Sequence, residues 1–243
     1  MSGRRINGVE SATVFASALR PAGRYVMSGE RAIFLREFLR HPLRTAAIMP
    51  SPPPVARNMA AAVPAHGDPV VVELGPGTGP FTLEIQRRLA GRGRHLAVEL
   101  NERFAAQLRR RFPDVEVADG DAVQLRRILD ERGLAHADVI VSGLPHGLFS
   151  HALQRRFVET FRSCLAPDGR LTAYAYLHAV WSPPARHFHR LVHTGFQEVM
   201  TGQVHWSYFP PAYVYTASHP MRPHAGETTA VEALRTGHGR ANP

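Results

Sequence analysis

A chain of 243 residues, 44% of them hydrophobic, has the length for one sizeable α/β domain with tails. Its formal net charge is +9 and all 29 basic residues are arginine, which favours an anionic partner such as an acidic lipid surface or a nucleic acid. No apolar run approaches the roughly 18 residues that a spanning helix needs, no apolar signal core follows Arg4 and Arg5, and the single cysteine, Cys164, has no partner in the chain; together these predict a cytoplasmic protein in a reducing compartment.

Residues 1–24, with Gly3, Gly8, Pro21 and Gly23 scattered among small residues, read as a flexible N-terminal arm. Glu30 to Arg40 reads as a helix stopped by His41-Pro42. Ala32, Phe34, Leu35, Phe38 and Leu39 make its apolar face, and Arg36, Arg40, Glu30 and Glu37 fall opposite. Such a helix could lie in a membrane interface or pack on its own domain, and periodicity alone leans to the second. The prolines of Arg44 to Pro54 forbid a continuous helix, and Val55 to Val63 is a short helical candidate. From residue 70 the pattern alternates strand and helix, which predicts a doubly wound, mainly parallel sheet. Strands are expected near 70–74, 95–100, 114–118, 138–142 and 170–177. Helices are expected near 80–90, 102–111, 122–132, 150–165 and from Pro183-Pro184 to about His193. Two last strands, near 198–206 and 212–217, would close the sheet as an antiparallel pair. One α/β domain is thus placed at 25–218, with a polar, aperiodic tail over 219–243.

The segment Val70-Val-Val-Glu-Leu-Gly-Pro-Gly-Thr-Gly-Pro80 organises this pattern. A β-branched run ends in Glu73, and Gly75, Gly77 and Gly79 then alternate before a helix opens at Pro80. The third glycine falls one place too early for a dinucleotide fingerprint. The spacing E-x-G-x-G-x-G is similar to that of S-adenosylmethionine (SAM) methyltransferases. That resemblance implies that Glu73 and the loop Gly75, Gly77, Thr78 and Gly79 meet the amino-acid end of the cofactor. Glu99, at the end of the second strand, suits the ribose hydroxyls. Asp121, with Ala122 beside it, follows the third strand, where it could meet the adenine.

Ser142-Gly-Leu-Pro-His146 follows the fourth strand, on the edge where open α/β sheets bind ligands. Amine methyltransferases place a proline-containing loop here, and Ser142 and Gly143 join the expected cofactor set. The rRNA adenine dimethyltransferases carry N-L-P-Y in this place; the loop here lacks the aromatic that would stack on a flipped base, so nucleic acid is disfavoured. Taken with Phe34-Leu-Arg-Glu-Phe-Leu-Arg-His-Pro-Leu-Arg-Thr-Ala-Ala-Ile-Met-Pro-Ser51 and Phe209-Pro-Pro-Ala-Tyr-Val-Tyr215, residues 30–217 resemble the bacterial phospholipid N-methyltransferases. The resemblance implies a Rossmann-like seven-stranded sheet with its last strand antiparallel, SAM as cofactor, an aminophospholipid acceptor, and peripheral attachment to an anionic membrane through the N-terminal helix. His146-Gly147 and Leu177-His178 depart from that family's apolar and Gly-Pro patterns where the acceptor should bind, so a soluble small-molecule acceptor is the alternative.

An amine must attack as its neutral form, so a group that takes or relays a proton suffices. His146, Tyr176 and Tyr25 are the candidates; His146 could equally be a solvent-facing loop histidine, and Tyr174 shares a strand face with Tyr176. His187, His189 and His193 have no carboxylate or cysteine in a known metal spacing, and no metal is expected. Arg186 and Arg190 could meet lipid phosphate or line a solvated helix. Trp181 and Trp206 are interfacial anchors or core.

Overall fold

The computed structural model describes residues 53–206 and 210–221. The arm at 1–24, Tyr25, the helix at Glu30–Arg40 and the tail beyond residue 221 lie outside the described residues. Helix α1 (Pro53–Ala60) leads into β1 (Val70–Leu74), α2 (Pro80–Leu89), β2 (Arg94–Glu99), α3 (Glu102–Arg111) and β3 (Glu116–Asp119). The predicted helix at 122–132 divides into a 3-10 turn, Ala122–Gln124, and a short α4, Leu125–Asp130. Then come β4 (Ala137–Ser142), α5 (His151–Cys164), β5 (Leu165–Tyr176), α6 (Pro183–Gly195), β6 (Phe196–His205) and β7 (Ala212–Pro220). β7 runs two residues past the predicted start of the tail.

The seven strands form one sheet in the order β3-β2-β1-β4-β5-β7-β6. β1 to β5 are parallel, and β7 runs antiparallel to both β5 and β6. The connections reverse direction between β1 and β4, and there the carboxyl ends of the strands open a crevice. β6 points the same way as β5, so its end lies on this carboxyl edge too.

Local chemistry explains the elements beside the crevice. Val71, Val72 and Leu74 are fully buried, as a central parallel strand requires, each contributing about 1.5–3 kcal/mol of burial. Gly79 caps α2 at φ 86°, a left-handed conformation that costs glycine little, and Pro80 fills the first helical position, where its missing N–H costs nothing. Asn101 caps α3 by accepting from the amides of Arg103 and Phe104.

Side-chain alternation divides the sheet into two faces. Val71, Val139 and Val141 face a core made with Val55 and Met59 of α1 and Phe81, Ile85 and Leu89 of α2. Leu74 pairs with Ser142, one residue out of phase with Glu73 and Val141, so Ser142 faces the opposite layer, where α5 packs on α6.

Candidate active site

Register brings two of the predicted carboxylates together. Val71 pairs with His95 and Glu73 with Ala97, so Glu73, His95 and Glu99 share the α2 face. Glu73 is 0% exposed. Its Oε2 accepts from Thr82 Oγ1 at 2.8 Å and lies 3.1 Å from His95 Nε2. Gln86 Nε2 lies 2.9 Å from His95 Nδ1, an arrangement that leaves the Nε2–H of His95 to donate to Glu73. Glu73 Oε1 is buried with no hydrogen-bond partner. Thr82 and His95 were missed in the sequence: Thr82 lies one turn into a helix and His95 on a neighbouring strand, so only the strand register discloses them.

Glu99 fastens the glycine loop. Its Oε2 accepts from the Gly77 amide at 3.0 Å and its Oε1 from the Asn101 amide at 2.8 Å. Its carbonyl accepts from the Gly120 amide at 3.0 Å, which carries the edge on to Asp121. Burial raises the Glu99 pKa above the ordinary carboxylate value, the backbone amides oppose this, and the charge of Glu73 adds to it. The two acids are therefore electrostatic neighbours. Asp121 caps the turn Ala122–Gln124, accepting from the Val123 amide at 3.0 Å, with Ala122 buried behind it. Thr78 is half-exposed, and its carbonyl accepts from Arg111.

The second loop closes on the first. The Gly143 amide donates to the Leu74 carbonyl at 2.8 Å. A methyl group at Gly75 would meet Leu144 Cδ2 at 2.7 Å, and one at Gly143 would meet the Gly75 carbonyl oxygen at 2.8 Å. Tyr174 and Tyr176 both face the α1–α2 core. With Phe81 they form an edge-to-face ladder, Phe81–Tyr174 at 6.1 Å and Tyr174–Tyr176 at 5.4 Å, from the start of α2 to the carboxyl edge.

Two side chains of the second loop turn inward. The Ser142 hydroxyl points away from the crevice and lies 2.7 Å from His146 Nε2, both residues being buried. His146 is not a solvent-facing loop histidine. It is 2% exposed and stacks on Phe188 at 4.3 Å, with Phe149, Phe157 and Phe161 edge-on around it. Burial pushes its pKa down to about 3, so the ring stays neutral.

Residues 71–169 match the family described as Methyltransferase domain. An ornithine lipid N-methyltransferase of Singulisphaera acidiphila is 39% identical over 140 residues, covering 56% of this chain and 73% of that protein. The chain belongs to the SAM-dependent methyltransferases of the bacterial lipid N-methyltransferase type. TrmN from Thermus thermophilus shares the fold (TM-score 0.54, 21% identity, 74% of this chain), although this chain spans only 53% of its length. An O-methyltransferase from Bacillus cereus, solved in complex with SAH (S-adenosylhomocysteine), also shares it (TM-score 0.54, 15% identity, 79% of this chain and 93% of that one).

The methyltransferase uses S-adenosyl-L-methionine, and its residues fit that cofactor. The cofactor carries an ammonium, ribose hydroxyls and an adenine, and the site offers an unsatisfied buried carboxylate oxygen at Glu73, a second carboxylate at Glu99 and a third at Asp121. Gly77, at φ 56°, has open space where a side chain would stand, as close approach of a ligand requires. Among the described residues no group of three or more potential ligands could hold a metal ion; the rings of His189 and His193 approach to 3.1 Å between Nε2 atoms without a third partner.

His146 gives the methyltransferase a testable acid sensitivity. Its folded pKa is about 3 against an ordinary value of 6.5, so the unfolded chain binds the proton first. Stability is full above pH 6.5 and falls as the pH drops toward 3, by roughly 2–3 kcal/mol at pH 4.5. Urea denaturation at pH 7 and pH 4.5 should show this loss, and His146→Phe should reduce the difference by about that amount. An unchanged difference in the variant would contradict the buried neutral ring.

Proposed function

We propose that this enzyme methylates the amine of a lipid headgroup, of the phosphatidylethanolamine type, at a membrane surface. One observation carries the reading. Of the five large apolar side chains exposed among the described residues, four (Leu100, Leu148, Trp181 and Trp206) stand on connections leaving the carboxyl edge, and only Met200 does not. Trp181 and Trp206 are 81% and 72% exposed, so neither is core. An apolar rim around the mouth of an active site suits an acceptor held in a lipid interface, where tryptophan is favoured. A water-soluble acceptor needs no such rim. The relative from Singulisphaera acidiphila, whose name assigns it N-methylation of an ornithine lipid, supports the same class of acceptor. No described helix is long and apolar enough to cross a membrane, so on this reading the enzyme meets its lipid from the surface.

In the proposed arrangement Glu73 Oε1 accepts from the cofactor's ammonium, directly or through one water. Glu99 accepts from the ribose hydroxyls with the lone pairs left by Gly77 and Asn101. Asp121 and Ala122 hold the adenine, and Thr78 completes the loop. When bound, SAM supplies a methyl activated by its sulfonium. The chain's own task is alignment and exclusion of water. The ladder of Phe81, Tyr174 and Tyr176 offers π-faces to an alkylated ammonium, and Tyr176, nearest the edge, is the group proposed to meet the departing proton. Tyr25 stays a candidate for the same role.

Incubation with radiolabelled SAM and a total lipid extract, followed by chromatography, tests the reading. Label in methylated ethanolamine lipids is the expected result; label in an ornithine lipid would move the acceptor within the same class. Label confined to water-soluble products would overturn it.

A further inference from the structure

A second, polar cleft opens between the start of α5 and the first two turns of α6. Its volume is about 250 Å³, and it is lined by His151, Pro183, Arg186, His187 and Arg190. Among the described residues no carboxylate lines it. Neither the Arg186 nor the Arg190 guanidinium has an ion-pair or hydrogen-bond partner among the described residues. Among the described residues no acid pairs with these arginines, and His187 feels the charge: burial first, then His151, Arg155 and Arg190, push its pKa below the ordinary value.

The back wall is built rather than incidental. His151 and His187 stack at 4.0 Å. Gln154, buried, lies with its Oε1 2.7 Å from His187 Nδ1 and donates from Nε2 to the carbonyls of His146 and Pro184. One side chain thus ties the turn after Ser142-Gly-Leu-Pro to the start of α6. A methyl at Gly147 would sit 3.6 Å from Ala185 Cβ, and residues 177–182 join Tyr176 directly to Pro183. The two helices that line the cleft therefore follow directly on the two loops at the carboxyl edge, and Gln154 ties one of those loops to the cleft's back wall.

An amine-bearing lipid headgroup is a zwitterion: phosphoethanolamine carries a phosphate, ornithine a carboxylate. Two unpaired guanidiniums in a polar cleft match such an oxyanion. We infer that this cleft binds the anionic group of the lipid headgroup whose amine is methylated, with Arg186 and Arg190 as its principal contacts. The inference rests on the reading of the acceptor as a lipid amine, and it makes the cleft a determinant of specificity.

The test uses the full chain with S-adenosylhomocysteine bound, titrated with O-phosphoethanolamine, inorganic phosphate and ethanolamine while the His151 and His187 ring resonances are followed by NMR. Phosphoethanolamine is expected to shift both rings saturably and ethanolamine neither. The double variant Arg186→Ala/Arg190→Ala should weaken that binding about tenfold or more while leaving affinity for S-adenosylhomocysteine within about twofold. In the methylation assay the same variant should raise KM for the amine lipid about tenfold with kcat within about threefold. Binding that survives the double substitution, an unchanged KM, or uptake of inorganic phosphate without phosphoethanolamine would overturn the inference. Intact, arginine-dependent phosphoethanolamine binding with no methylation of any amine lipid would overturn it through the acceptor reading, and so tell that failure apart from a failure of the cleft.

Discussion

Glu73→Gln is expected to weaken SAM binding by about 10²–10³-fold, the largest effect of any isosteric change in the site. The substitution keeps the packing, and the amide oxygen can still accept from Thr82 and His95 at the Oε2 position. It places an N–H₂ where the buried, unpartnered Oε1 stood, so a donor confronts the cofactor's ammonium and a negative charge is lost. The unliganded protein should not lose stability in proportion, because a buried carboxylate oxygen without a partner is itself costly. Calorimetry with SAM, alongside thermal unfolding without it, checks both halves. Affinity within threefold of the original protein would remove Glu73 from the cofactor.

Gly143→Ala is expected to lower kcat/KM by about 10²-fold or more, because it forces the two loops apart. The added methyl would lie 2.8 Å from the Gly75 carbonyl oxygen and 3.3 Å from both the Leu74 carbonyl oxygen and Phe81 Cε2. Two of these are backbone atoms, which cannot swing aside as a flexible side chain does. The Gly143–Leu74 hydrogen bond joins the same strands, so the shift passes to the glycine loop. Stability should fall by about 1–3 kcal/mol as well, the usual cost of overpacking. Steady-state kinetics at saturating SAM separates the terms: a depressed kcat marks lost alignment, and a full recovery would show that only cofactor binding had suffered.

The sheet was legible because its signals are local. Val70–Val72, the acids at or next to the ends of β1 and β2, and the Gly-Pro punctuation each report on their own few residues, and period two puts Glu73 and Glu99 on one face once β1 and β2 are paired. His146 was not legible. Beside Gly147, in a turn, it reads as exposed; its burial is made by Phe157 and Phe161 of α5 and Phe188 of α6, whose approach depends on the packing of two helices. The direction of the Ser142 hydroxyl was hidden for a related reason: the loop composition suggests a polar contact with ligand, but strand alternation turns the hydroxyl into the other layer. Thr82 and His95 became visible only when α2 and β2 closed over Glu73. The arginines of α6 gained meaning only through His151, contributed by another helix.

The apolar rim and the polar cleft have a common physical basis. Both lie where the carboxyl edge gives way to connections, and there side chains need not serve the core. Trp181 stands between β5 and α6, on the segment that links Tyr176 to the cleft. A lipid headgroup presented at that edge would meet indole at the interface, guanidinium on its anion and tyrosine on its amine.

A crystal structure with S-adenosylhomocysteine bound tests the central claim most directly, that three acids serve one ligand. It should place the ammonium against Glu73 or a water held by it, the ribose hydroxyls on Glu99 and the adenine amino group on Asp121. A ligand lying elsewhere, or one that leaves Glu73 and Glu99 unengaged, would contradict the account.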